Sequence, residues 1–131
     1  MVNENCRMYV LAHRFLSSVQ KGVQGGHAIA EMSVKYHSED CRHKLYTTWA
    51  KRDKTLILLD GGNTSSLRAF RDMLLDKKTV AWADFHEDED SLDGALTAVA
   101  VILSESQRNM LDKLSPWYSI AEAISALPLA V

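Results

Sequence analysis

The stretch KTLILLDGGNTSSLRAFRDMLLD, residues 54–76, decides the fold class. Its apolar run over residues 54–60 ends at two consecutive glycines, a pattern that predicts a strand followed by a turn. Asn63 or Thr64 then caps a predicted helix that extends to about Asp76. Four apolar residues at helical spacing form the predicted buried face of that helix: Leu67, Phe70, Leu74 and Leu75. A strand that leads through a short turn into a helix is typical of α/β domains.

Apolar patterning outside this stretch predicts three more strands and three more helices. The strands cover residues 7–12, 79–85 and 95–103, and the helices cover residues 20–36, 38–49 and 104–114. Ser17 or Ser18 is the expected N-cap of the first helix, and Ser38 is that of the second. The order predicts an α/β domain in which helices cover both faces of a mixed four-stranded sheet. The strand–helix links imply parallel pairs, and the short link before the last strand implies that the third and fourth strands are antiparallel neighbours.

Length and charge limit the possible functions. The 131 residues correspond to one domain, with a core over residues 7–103 and a helical tail over residues 104–131. A composition of 47% apolar and 24% charged residues excludes wholesale disorder. Fifteen basic residues against 17 acidic residues give a formal net charge of −2, which argues against a broadly basic surface for nucleic acid. A small local basic patch is compatible with this balance.

The two cysteines and the apolar runs indicate a cytoplasmic protein. Cys6 and Cys41 are too few for a disulfide scaffold and lack metal-ligand spacing, so reduced thiols are expected. No apolar run approaches the roughly 18–20 residues that a membrane span needs. The first residues also lack the pattern of a signal peptide, and no membrane association is expected.

Residues 20–27, QKGVQGGH, form the first candidate site. A glycine costs about 1 kcal/mol in a helix interior, so three glycines near one helix start suggest close approach of a ligand or another backbone. Amides at a helix N-terminus favour an anion, Lys21 adds a cation, and His27 adds an imidazole that can act as an acid or a base. The pattern is explained equally well without a ligand, by a helix whose first turns are weakened by glycines and in which His27 is a core residue. The glycines concerned are Gly22, Gly25 and Gly26.

The end of the third strand supplies a second candidate site. Alternation places Asp84 and His86 on one face of this strand and Phe85 on the other. A carboxylate beside an imidazole can orient or activate water, and catalytic residues of α/β folds often lie at strand ends. A solvated acidic turn is the alternative for residues 86–93. Their spacing matches neither an EF-hand loop nor a zinc site, so no metal is expected.

Thr97 in the last strand is a third candidate. Threonine is common in strands, so this hydroxyl alone carries little functional information. Strict alternation predicts that Thr97 shares a face with Val99 and Val101, and that Leu96 shares the opposite face with Ala98.

Together these segments make residues 7–103 similar to the peptidyl-tRNA hydrolase 2 family, including its shortened relatives in tailed phages. Gln24, His27 and Ala28 match the family's Gln-x-x-His-Ala segment at the strand-to-helix connection. Asp84 and Thr97 match the family's Asp at the end of the third strand and its Thr in the final strand.

The resemblance implies a three-layer sandwich and hydrolysis of the ester that joins a peptide to the 3′ end of tRNA. His27 and Asp84 would be acid/base or water-orienting groups, with Thr97 as a hydrogen-bonding neighbour. Lys21 or a helix N-terminus would steady the oxyanion or phosphate. No cofactor is implied. Relatives commonly pair, so the apolar tail from residue 117 is expected to dock on its own domain or on a second copy in a homodimer.

Two departures from the family pattern open a second interpretation. The family's Lys is Gln20 here, and Lys21 lies one place later, about 100° further around a helix. The acidic run after Asp84 also disfavours a polyanion such as tRNA. The alternative is a phage counter-defence protein that sequesters or cleaves a small signalling nucleotide, such as a cyclic dinucleotide or a cyclic ADP-ribose-type molecule. Amides of residues 22–27 would hold its phosphate, and four side chains would contact its base or ribose: Gln20, Gln24, His86 and Glu87.

Overall fold

A computed structural model describes residues 1–37, 40–87 and 94–130 and confirms the α/β class with a mixed four-stranded sheet. The strands are β1 (Cys6–Ala12), β2 (Thr55–Asp60), β3 (Ala81–His86) and β4 (Leu96–Ser104). The helices are α1 (Ser18–Lys35), α2 (Cys41–Thr48), α3 (Thr64–Leu74) and α4 (Tyr118–Ser125), and a π-helical turn, Trp49–Asp53, follows α2. No helix in these described ranges is long and apolar enough to cross a bilayer.

The sheet has the order β2-β1-β4-β3. β1 pairs in parallel with β2, and β4 pairs antiparallel with β3, as the links between the elements predicted. β4 also pairs antiparallel with β1 and so lies between β1 and β3, which the links did not predict. Strands β1, β2 and β3 therefore run in one direction, and their C-terminal ends lie at the same edge of the sheet as the start of β4. We call this edge the upper end of the sheet and the opposite edge its lower end.

Two apolar cores lie on the two faces of this sheet. Residues of α1 and α2 pack on one face, which we call the α1 face, and residues of α3 and α4 pack on the other, the α3 face. In β1, Met8 and Val10 contribute to the core on the α1 face, and Tyr9 and Leu11 contribute to that on the α3 face. Helices thus cover both faces, and the alternation of β1 explains why this strand is almost continuously apolar.

The helix boundaries follow from their N-caps. Ser17 caps α1 by accepting a hydrogen bond from the Gln20 N–H, so the helix begins two residues before the predicted start. Asp40 caps α2 with a carboxylate oxygen 2.9 Å from two amide nitrogens, a role that had been assigned to Ser38, which lies outside the described residues. Asn63 caps α3, as predicted, but Leu75 follows the end of this helix and is 62% exposed.

The predicted helix over residues 104–114 is wrong. This segment forms successive turns, and the last helix begins only at Tyr118. Asn109 and Asp112 accept hydrogen bonds from backbone N–H groups two residues further along the chain, and the Ser115 hydroxyl does the same. Such local bonds compete with helix formation, and apolar periodicity alone does not reveal the competition.

The C-terminal tail docks on its own domain. Ile120 and Ile124 of α4 are buried in the core on the α3 face. After α4 the chain runs beside the edge strand β2, where Leu129 bridges to Leu59 and the Asp60 N–H donates to the Pro128 carbonyl. The edge of the sheet formed by β2 is thereby partly paired.

Candidate functional site

The upper end of the sheet brings together polar residues from the ends of three strands. His13 and Arg14 follow β1, Asp60 ends β2, and Glu87 follows β3. The first turns of α1 start beside them because the loop between β1 and α1 is short. Parallel strands bring chain-distant residues together at their C-terminal ends, where ligands of open α/β sheets commonly bind.

Gln24 is the centre of a buried hydrogen-bond network at this end. Its side-chain N–H group donates to Glu87 Oε2 at 2.8 Å and approaches Gln20 Oε1 at 3.5 Å. Its Oε1 atom lies 3.2 Å from the donating hydroxyl of Thr97. Gln24 and Thr97 are 4% and 1% exposed. The structure therefore brings together four of the predicted site residues, and both ends of the Gln24 amide have partners.

A β-bulge turns Thr97 toward this network. The register between β3 and β4 shifts at Phe85 and His86, so that Ala98 pairs with Phe85 and Leu96 pairs with His86. Thr97 is the extra residue, and its hydroxyl reaches α1 and the Phe85 carbonyl oxygen, at 3.3 Å. The alternation predicted for this part of β4 is therefore wrong, and Leu96 packs with Val99 on the α3 face. Bulges re-aim side chains in this way.

Lys21 faces inward from the first turn of α1. It is 7% exposed, whereas Gln20 is exposed at the surface. The Lys21 charge is one of the influences that lower the pKa of Asp60, after the hydrogen bond from the Gly62 N–H and the contact with Arg14. Lys21 is thus the inward-facing cation of this helix start.

His13 belongs to the site although the sequence analysis did not select it. Its Nδ1 atom accepts a hydrogen bond from the Phe15 N–H at 3.2 Å, so Nε2 carries the proton of the neutral ring and donates to the Thr64 hydroxyl at 3.1 Å. Burial lowers the pKa of His13, opposed by the negative charge of Asp60. Its position directly after the apolar run of β1 was the signal that could have identified it.

A cleft of about 200 Å³ opens beside Thr97. Its lining is mainly apolar, and the Phe15 ring at its border is 79% exposed. The Phe15 and His13 rings lie 5.7 Å apart between centroids. The lining residues are His13, Phe15, Leu16, Ala95 and Thr97.

His27 and Asp84 lie on opposite faces of β3. The His27 ring is exposed and stacks on Phe85 of the α1 face, with 4.5 Å between the centroids. Asp84 Oδ2 lies 3.1 Å from Arg71 of α3 and 3.4 Å from His86 Nε2. The predicted pairing of Asp84 with His86 on one face is confirmed. The carboxylate on the α1 side of the upper end, however, is Glu87, which replaces Asp84 as a neighbour of Gln24 and Thr97.

One glycine of α1, Gly25, has a packing role, and the amides predicted to hold a phosphate lie inside the helix. Because α1 begins at Ser18, the amides from Gly22 onward lie inside the helix and bind its own carbonyls. Gly25 faces β1, and a Cβ atom there would lie 2.9 Å from Val10 Cγ1. Gly22 and Gly26 face open space. The close approach that the sequence suggested is therefore that of α1 to β1.

In the described part of the chain, no three His, Cys, Asp or Glu side chains gather as metal ligands do. The acidic residues 88–93, for which a solvated turn was predicted, lie outside the described residues. A comparison with protein-family models finds no match, and no curated protein is significantly similar to this chain. The functional proposals therefore depend on the geometry of the upper end together with the resemblance in its motifs.

Proposed function

We propose that the protein binds a small nucleotide in the cleft at the upper end of the sheet. The observation that carries the proposal is the buried network in which Gln24 links Thr97 to Glu87 beside an aromatic-edged cleft. Ligand sites commonly combine apolar walls with a few fixed polar groups, which is the combination found here.

The cleft and its border suit a flat base. The exposed ring of Phe15 offers a stacking surface, and the His13 ring is fixed beside it by its two hydrogen bonds. Glu87 is half-buried, and a carboxylate accepts hydrogen bonds from base N–H or ribose hydroxyl groups. Gln24 holds this carboxylate through a hydrogen bond to Oε2, so the acceptor is preorganised.

Arg14 supplies the cation for a phosphate at this end. Its side chain is 60% exposed, and its ion pair with Asp60 uses Nε at 3.2 Å. Neither of its Nη groups makes a hydrogen bond within the described ranges. A single exposed guanidinium beside the inward-facing Lys21 fits one or two phosphates better than it fits a polyanion, in agreement with the net charge of −2.

This proposal assigns the chain the role of sequestering or cleaving a signalling nucleotide, as a phage counter-defence protein would. Support comes from the resemblance to the shortened phage relatives and from the replacement of the family's Lys by Gln20. The order of elements and the helices on both faces of the sheet are consistent with the three-layer sandwich that the same resemblance implies.

The test is calorimetric titration of the protein with a cyclic dinucleotide and a cyclic ADP-ribose-type nucleotide, with mass spectrometry of the recovered ligand. We expect saturable binding of one of them, weakened at least about tenfold by Thr97→Val, since a donor to a buried acceptor is lost. Ser33→Ala is the matched control, because this exposed hydroxyl of α1 bonds only to the Ala30 carbonyl within the described residues. Absence of binding to both nucleotides contradicts the proposal.

A hydrolase of peptidyl-tRNA esters is the second candidate. The observation that favours it is the meeting of Thr97 with Gln24, because both belong to motifs that carry the family resemblance. His27 lies one helical turn beyond Gln24, so it borders the same side of the sheet. In this mechanism water attacks the ester carbonyl, and Glu87 or His27 accepts the water proton in the place proposed for Asp84. The bond between the acyl carbon and the tRNA 3′-oxygen then breaks, and the same group returns the proton to that oxygen, so that a free peptide carboxylate and the tRNA 3′-hydroxyl are released.

Cleavage of peptidyl-tRNA by the wild-type protein and its variants tests the second candidate. We expect Glu87→Gln and His27→Ala to lower kcat by roughly two orders of magnitude, the usual range for loss of a general base. Asp84→Asn serves as the comparison, because Asp84 lies on the α3 face, and it should leave kcat nearly unchanged. No cleavage by the wild-type protein contradicts this candidate.

A further inference from the structure

Arg7 occupies an unusual place in the sheet. β1 lies between β2 and β4, and all of its residues except Arg7 are buried. Alternation places Arg7 on the α3 face with Tyr9, and in the register of the sheet Arg7 lies between Thr55 and Leu103. An exposed residue in an interior strand means that the helix layer does not cover this part of the lower end.

A cavity of about 370 Å³ fills the uncovered area. The turns that replace the predicted helix over residues 104–114 border it, together with α4. Its walls are mainly apolar, and none of its lining residues is acidic. They are Arg7, Tyr9, Ile57, Leu59, Leu103, Arg108, Met110, Ala121, Ile124 and Ser125.

Two arginines give the cavity positive charge. Arg7 makes no hydrogen bond or ion pair with any residue in the described ranges. Arg108 Nη1 donates to the carbonyl oxygens of Asn5 and Leu103 at 3.0 and 2.8 Å, so this side chain is held in place by neutral acceptors. The carboxylate of Asp53 borders the adjacent groove, but Arg52 and the Cys6 N–H already bind it.

Tyr9 adds a polar group without a protein partner. Its side chain lines the cavity and the residue is 8% exposed, yet its hydroxyl makes no hydrogen bond among the described residues. Every fully buried side-chain polar atom of the described chain has a partner. The Tyr9 hydroxyl therefore faces the open volume of the cavity, where it is available to donate to an acceptor on a bound molecule.

We propose that this cavity binds a small amphipathic carboxylate. Its apolar body fills the volume between the sheet and α4, and its carboxylate accepts hydrogen bonds from Arg7 and the Tyr9 hydroxyl. An engineered apolar cavity of about 150 Å³ already holds benzene, so 370 Å³ accommodates a larger body such as a medium-chain acyl group. The site is independent of the nucleotide site, because the two lie at opposite ends of β1.

Titration with octanoate, followed by calorimetry and by NMR shifts of backbone amides, tests the proposal. Octanol and acetate supply the apolar body and the head group separately. We expect saturable octanoate binding with shifts at Tyr9 and Ile124, and at least about tenfold weaker binding of octanol and acetate, the ratio typical of charge-assisted hydrogen bonds. Equal affinity for octanoate and octanol overturns the assignment of a carboxylate site.

Variants with matched controls show whether a loss of octanoate binding comes from the cavity itself or from a general change in charge or folding. Arg7→Gln and Tyr9→Phe should each weaken octanoate binding, by roughly tenfold for the arginine. Arg68→Gln on the exposed side of α3 and Tyr46→Phe in α2 should leave it unchanged, since neither residue lines the cavity. Thermal unfolding checks that each variant is folded.

Two other occupants are distinguishable outcomes. Leu111 and Leu114, each 95% exposed, lie on the turns beside the cavity and could close over it, or a second copy could cover it. Absence of octanoate shifts at Tyr9 and Ile124, or a dimer in sedimentation that octanoate does not dissociate, overturns the proposal in favour of these occupants.

Discussion

The two ends of the sheet differ in how they use the hydroxyl of a residue that is itself buried. At the upper end, the Thr97 hydroxyl donates within a network in which Gln24 and Glu87 also bind each other. At the lower end, the Tyr9 hydroxyl and the Arg7 guanidinium have no partner among the described residues. The polar groups of the upper end therefore stabilise the fold through their hydrogen bonds to each other, whereas those of the lower end are available to a ligand.

This difference has an energetic basis. A hydroxyl that donates to a buried acceptor stabilises the fold chiefly because its loss would leave that acceptor unpaired. A hydroxyl that faces the open volume of a cavity without a protein acceptor contributes nothing comparable to the stability of the fold. A polar group without a protein partner at such a position therefore indicates a ligand site more strongly than a group in a satisfied network does.

The comparison predicts opposite results for two conservative substitutions. Thr97→Val should lower the free energy of unfolding by about 2 kcal/mol, because Gln24 Oε1 loses its donor in a buried site. Tyr9→Phe should leave this free energy unchanged or raise it slightly, because no acceptor is left unpaired. Urea unfolding of both variants measures the difference. If Tyr9→Phe lowers the free energy of unfolding by as much as Thr97→Val does, the Tyr9 hydroxyl has a hydrogen-bond partner within the protein and the contrast between the two ends is wrong.

The upper network depends on the position of α1 on the sheet. This position predicts opposite but smaller changes in stability for substitutions at two neighbouring glycines of α1. Gly25→Ala adds a Cβ atom 2.9 Å from Val10 Cγ1, and the strain should exceed the gain of about 1 kcal/mol in helix propensity, for a net loss of about 1 kcal/mol. Gly26→Ala meets nothing within 4 Å and should stabilise by about 1 kcal/mol. Equal effects of the two substitutions on the unfolding midpoint would contradict the close packing of α1 on β1.

The smallest expected effect is a change of folding stability with pH that arises from His13 at the upper end. The folded pKa of His13 is lowered by burial, so the unfolded chain binds this proton at a higher pH than the folded chain does. Stability should therefore fall as the pH drops below about 6.5, the ordinary pKa of histidine, and level off below the folded pKa. His13→Gln should lose that part of the dependence between pH 7.5 and 5.5, as measured by thermal unfolding. An unchanged dependence would assign it to other groups.

Local patterns predicted the elements well where the signal lay within one segment. The run before Gly61 and Gly62 became β2, and Asn63 caps α3 through a hydrogen bond to the Ser66 N–H. Prediction failed where local polar groups compete with helix formation, as at Asn109 and Asp112. It also failed at Thr97, because a bulge depends on the register of two strands and not on the alternation within one.

The sequence by itself determined the α/β class, the strands β1 to β4, the N-caps of α1 and α3 to within one residue, and the shared face of Asp84 and His86. These features follow from apolar periodicity and from hydrogen bonds between residues a few positions apart. Only the tertiary structure decided that Gln24 meets Glu87 and Thr97, which are 63 and 73 residues further along the chain, and that His27 and Asp84 lie on opposite faces. It also opened the cavity beside Arg7. Such contacts depend on strand order, register and the packing of helices on the sheet, which no short stretch of sequence encodes.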